Sequence, residues 1–177
     1  MRSSYTLPDP SPEHHSGTTS RWLDDIAHCE NLLAQAAKEA ALAEFLTRHV
    51  LEIIAQGLPR SLDLQLGGTA DAFRRIKTKA AATLAGNLDA DAAPDPDAAF
   101  PRAFNRMTDI EDTLAQISED AEIAVVILGV LREPLEKIVT DDLSPLLLGA
   151  ADAAARIQAL MAMDHKATPA TDREGDQ

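Results

Sequence analysis

The sequence predicts an all-α protein, an antiparallel bundle of four main helices, two long and two short, with apolar linkers packed across it. Three observations carry that expectation. An apolar heptad runs unbroken through Ile110, Leu114, Ile117, Ala121, Ala124, Leu128, Leu131, Leu135 and Ile138, in strictly alternating steps of four and three. The chain is 45% hydrophobic but only 3% aromatic, and its apolar residues are mostly Ala, Leu and Ile. Such residues suit close helix contact better than a pleated sheet face. Finally, the single strand-like stretch, Leu58, Leu62, Leu64 and Leu66 alternating with polar residues, has no partner strand and reads as an apolar loop.

The elements follow in order. Residues 1–18, with Pro8, Pro10, Pro12 and Gly17, read as a disordered arm, and residues 164–177 as a disordered tail, leaving a bundle domain over 19–163. The first helix is expected over about 20–56, capped at Thr19 or Ser20 and stopped by Gly57 and Pro59. Its buried stripe begins at Trp22, Ile26, Cys29, Leu33, Ala36 and Ala40, then drifts through Leu42, Phe45, Leu46, Val50, Ile53 and Ile54. After a connector over 57–68, Thr69 caps a shorter helix over about 70–85, with Phe73, Ile76, Ala80 and Leu84 inward. Residues 87–106, holding Pro94, Pro96 and Pro101, read as an internal linker. Thr108-Asp109-Ile110-Glu111 reads as the capping box that opens the heptad helix, and Pro134 as the point where that helix kinks or splits. Ser144-Pro145 starts the last helix, over about 145–163. Leu33-Ala34-Gln35 matches Leu114-Ala115-Gln116 in the same register. An internal duplication and chance similarity between low-complexity helices both account for this.

Charge and cysteine usage narrow the function classes. With 16 basic and 29 acidic residues the net charge is −13, a field that repels nucleic-acid phosphates and anionic membrane surfaces. The longest apolar run, Ile123 to Leu131, is too short to cross a bilayer. A single cysteine, Cys29, excludes an intramolecular disulfide and any multi-cysteine metal cluster, and the reading is a cytoplasmic protein.

Candidate chemistry is sparse, and most candidates have a plainer structural account. Glu44, His49 and Glu52 place two carboxylates and an imidazole on one helix, a fragment of a carboxylate-rich metal site, though no Glu-x-x-His pair exists; a solvated His among exposed acids is the favoured account. Phe45, Phe73, Met161 and Met163 are the bulky apolar residues that would line a ligand pocket between helices. Arg74, Arg75, Lys77 and Lys79 form the only dense basic run, suited to docking an anion or acidic partner, or to pairing with neighbouring carboxylates. Gly67-Gly68-Thr69 would present a helix N-terminus to an anion, or serve as a turn and cap. His28 and Cys29 point about 100° apart on a helix and form no relay. No cofactor and no catalytic constellation is expected. The function expected is a non-catalytic helical interaction, scaffold or regulatory protein acting through a helix face. Helices of unequal length leave apolar stripe uncovered, so a homodimer through the long helices is also expected. A small-ligand or sensor domain is the second reading, and a metal-binding bundle the third.

Overall fold

The computed structural model describes residues 13–54, 60–86, 99–138 and 143–167. They form four helices, α1 (Glu13–Ile54), α2 (Arg60–Ala85), α3 (Ala99–Ile138) and α4 (Ser144–Ala167). The expected bundle of two long and two short helices is therefore the observed one.

The cross-helix pairs fix the topology. Glu44 faces Lys77 while Arg48 faces Asp71, so α1 and α2 run antiparallel. Arg75 reaches Asp120 and Thr83 reaches Thr113, which makes α2 and α3 antiparallel as well. Arg156 binds Glu39, and Gly149 lies against Leu46, so α4 returns antiparallel along α1. The helices form a closed square in chain order, with α1 and α3 parallel across a weaker diagonal. The heptad of α3 thus packs chiefly on α2 and α4, and the α1 stripe is not its main partner.

Every described residue of that heptad is buried, from Ile110 to Leu135; the side chain of Ile138 lies outside the described residues. On α1 the expected drift does not occur. The buried line continues in steps of four and three through Ala40, Ala43, Thr47 and Val50, while Leu42, Phe45 and Ile53 are exposed. Thr47 hides this register in the sequence. Its hydroxyl donates to the Ala43 carbonyl at 2.8 Å, so a polar residue occupies a core position without an unsatisfied donor. Leu33 and Leu114, Ala40 and Ala121, and Ala43 and Ala124 occupy equivalent core places. Two heptad seams in one bundle require that equivalence with or without a shared origin.

Several boundaries differ from expectation, and at the starts of α2 and α3 burial extends the helix. α1 begins at Glu13, so residues 13–18 are helical. α2 begins at Arg60 instead of Thr69. Leu62 and Leu66 are one turn apart and join Val50, Leu131 and Leu135 in a second core cluster, whereas Leu64 points out and is 66% exposed. The alternation read as a loop was a helical stripe with one exposed leucine between its members. α3 begins at Ala99, so residues 99–106 belong to the helix because Ala103 and Met107 pack on the main core. Thr108 therefore sits mid-helix and donates to Phe104 O at 3.1 Å in place of capping. α3 runs without a break through Pro134, and α4 continues to Ala167. The expected stops at Gly57 and Pro59, the prolines at 94 and 96, and the chain ends 1–12 and 168–177 lie outside the described residues.

The two short helices leave part of the long ones uncovered. At 1.5 Å per residue, α1 and α3 are about 60 Å long, and α2 and α4 about 40 Å or less. The α1–α2 register brings Ala85 level with residues near Gln35 of α1. Below that level α3 closes on α1, with Arg106 on Glu30 and the Trp22 and Phe104 rings 6.2 Å apart.

Gly67 and Gly68 lie inside α2, and a Cβ at either would meet nothing within 4 Å. Gly68→Ala is expected to raise the unfolding free energy by about 0.5–1 kcal/mol, because alanine restricts the unfolded chain and fits the helix unstrained. A shift of the urea midpoint at unchanged slope checks it.

Candidate functional site

The basic run lies on the middle of α2, where successive residues rotate by about 100°. Phe73, Ile76 and Ala80 face the core, and the cations flank them on both sides. Arg74 and Lys77 turn towards α1, where with Arg48 they surround the Glu44 carboxylate. Arg75 and Lys79 turn towards α3 and hold Asp120. Arg75 donates from Nε at 3.1 Å and from Nη2 at 2.8 Å to Oδ1, and Lys79 Nζ donates at 3.1 Å to Oδ2.

Glu44 and Asp120 are the buried carboxylates among the described residues. Burial pushes the Asp120 carboxyl up, but the hydrogen bonds and charges of Arg75 and Lys79 outweigh it and hold the group below its ordinary value. Glu44 is likewise held down, burial being overcome by Lys77 and Arg48. Arg75 is in turn raised by its hydrogen bond to Asp120. The run expected to dock an anion is thus engaged by the protein's own carboxylates. It works as a two-sided key that registers α2 against both neighbours. Among the described residues no buried side-chain polar atom lacks a partner.

The metal candidate does not assemble. Glu44 and His49 are five residues apart, a rotation of about 140°, so one turns to α2 and the other outward. His49 Nδ1 is 3.7 Å from Glu52 Oε2, and its ring stacks on Phe45 with centroids 6.0 Å apart and planes 8° off parallel. Among the described residues no three His, Cys, Asp or Glu side chains are grouped to hold an ion. Cys29 is buried in the core.

The four residues proposed for an apolar pocket do not line one together. Phe73 and Met161 belong to the same filled core, Phe45 is 65% exposed on α1, and the Met163 side chain lies outside the described residues. Gly67-Gly68-Thr69 is interior to α2 and presents no helix N-terminus; the Thr69 hydroxyl donates to Gln65 O at 2.9 Å.

Sequence reasoning missed Arg106, which fell in the expected linker. It donates from Nη1 to Thr83 O at 2.6 Å and from Nε and Nη2 to Glu30 Oε1 at 3.2 and 2.9 Å. The Thr83 carbonyl lies in the last turn of α2, which has no basic residue of its own, so a cation from α3 meets the negative end of that helix. An open hollow of about 550 Å³ lies beside it, lined by Thr83, Gly86, Arg102, Asn105 and Asp109 among others.

Some large apolar residues remain exposed on both long helices. Leu42, Phe45 and Ile53 stand out from α1, and Ile123, Val126 and Val130 from α3. No helix among the described residues is long and apolar enough to cross a membrane. No known protein family, curated protein or solved structure matches the chain.

Proposed function

We propose that this protein is a non-catalytic helical scaffold or regulatory module that acts through the outward faces of its long helices and self-associates as a dimer along α1. The observation that carries the reading is the exposed line Leu42, Phe45, His49 and Ile53, at helical spacing on the side of α1 away from the core. Exposed apolar residues grouped on one helix face, as opposed to scattered singly, mark a contact surface. The main polar clusters already serve to join helices, which favours binding over catalysis as the work of this fold. A lone buried thiol suits a cytoplasmic setting.

Light scattering on the full chain at micromolar concentration tests it. The native chain is expected at dimer mass, and Phe45→Glu at monomer mass with unchanged helical circular dichroism. A monomer mass for the native chain at that concentration sinks the self-association.

A further inference from the structure

A second line of residues runs along α3 on the side opposite its buried heptad. Asp112, Gln116, Glu119, Ile123, Val126, Val130, Glu133 and Lys137 also follow one another in steps of four and three, and all are exposed. Val126 and Val130 are 58% and 63% exposed, values that fit no internal packing role. A 4-3 line is the geometry that receives another helix lengthwise. Its charges are arranged with one sign at one end. Among the described residues Asp112, Glu119 and Glu122 have no ion-pair partner, although elsewhere Glu44, Asp120, Glu30 and Glu39 are each met by a cation. At the other end Glu133 is neutralised by Lys137 at 2.7 Å.

We infer that this face of α3 docks a basic amphipathic helix of a partner protein, with its apolar stripe on Ile123, Val126 and Val130 and its Lys or Arg residues over Glu119, Glu122 and Asp112. Charge selects this occupant over a second copy of the chain. A copy laid parallel sets Asp112, Glu119 and Glu122 against their own counterparts, and one laid antiparallel about Val126 sets Glu119 against Glu133. A basic helix instead gains from the same field in encounter rate and in register.

The probe is a synthetic helical peptide with leucines at 3-4 spacing and lysines elsewhere, titrated into the full chain by fluorescence anisotropy at low and physiological salt. Two control peptides accompany it, one with glutamate for every lysine and one with the same composition in scrambled order. The lysine peptide is expected to bind and both controls to fail. A Val126→Asp/Val130→Asp double variant is expected to weaken binding roughly tenfold or more. Glu119→Lys/Glu122→Lys should weaken it by about tenfold at low salt and less at physiological salt. Phe45→Glu, on α1, should leave it unchanged.

Four outcomes overturn the inference: no binding by the lysine peptide, equal binding by either control, native affinity in the Val126/Val130 variant, or an equal loss in Phe45→Glu. So does a dimer mass abolished by the Val126/Val130 variant and not by Phe45→Glu, which would assign the face to a second copy. These substitutions are all at exposed positions, and helical circular dichroism confirms the fold. Self-association through α1 is read separately from mass, so its failure leaves the peptide titration to stand by itself.

Discussion

Phe73→Ala is expected to lower the unfolding free energy by about 4 kcal/mol. Phe73 is fully buried and is the bulkiest of the residues with no exposed surface. Removing its ring takes away the transfer free energy of the buried apolar atoms and leaves a cavity whose size depends on how far the walls can follow. Here they can follow little. The cluster it belongs to is walled largely by alanines, including Ala36, Ala40, Ala43, Ala121 and Ala124. An alanine has no rotamer to swing into a void, so closing the gap requires a helix to move, and α2 is held on both sides by Glu44 and Asp120. Urea unfolding at pH 7, followed by circular dichroism, measures the loss. A value under about 1.5 kcal/mol would mean that α2 slides to refill the space. Phe73→Leu keeps most of the volume and should lose about 1 kcal/mol.

The same alanine-rich interior explains which parts of the fold were legible in the sequence. The α3 heptad could be read because six of its eight described positions carry Ile or Leu in strict four-three spacing. On α1 the contrast is inverted. The buried positions hold Ala43 and Thr47, and the exposed ones hold Leu42, Phe45 and Ile53, so a hydrophobicity criterion selects the wrong face. A tightly packed bundle wants small residues where helices approach most closely. Gly149 shows the limit, since a Cβ there would lie 3.0 Å from Leu46 Cδ1. Small residues carry a weak hydrophobic signal, so the closest contacts are the least visible in sequence. The early start of α3 was hidden for a different reason. Phe100, Ala103 and Met107 continue the heptad spacing upstream of Ile110, but Pro101 and the apparent capping box at Thr108 hid that continuation, and Ala103 and Met107 pack on the main core. Arg106 could not be assigned before that start was known. The basic run on α2 was legible as a charge feature, and pairing with carboxylates was one of its two readings. Which carboxylates was not, because Glu44 and Asp120 lie 33 and 41–45 residues away and belong to opposite neighbours.

Arg75→Ala/Lys79→Ala is expected to destabilise the protein by about 2 kcal/mol at pH 7, because it leaves Asp120 charged and without its counter-ions at a site only 7% exposed. A fully buried pair broken this way loses about 3–5 kcal/mol. The smaller figure applies because Arg75 is half in water, and its attraction is screened. The pH dependence separates this mechanism from lost packing. In the native chain the folded Asp120 carboxyl sits below its unfolded value, so its contribution is present above the ordinary aspartate range and is lost as pH falls through the folded value. In the double variant only the push from burial remains, and the folded carboxyl moves above its unfolded value. The sign then reverses. The carboxylate destabilises the variant at neutral pH, and acidification towards the aspartate range relieves it, so the gap between variant and native chain narrows from pH 7 to about pH 4. Adding Asp120→Asn to the variant should recover most of the loss at pH 7, since the neutral amide needs no counter-ion, while Asp120→Asn alone should destabilise. A gap that stays constant with pH, or a triple variant no more stable than the double, would show that Arg75 and Lys79 act through their aliphatic stems. Glu44 gives an independent repeat on the opposite flank of α2. Removing all three of its cations, Arg48→Ala/Arg74→Ala/Lys77→Ala, should show the same narrowing, and adding Glu44→Gln the same recovery, if this carboxylate too is held by charge.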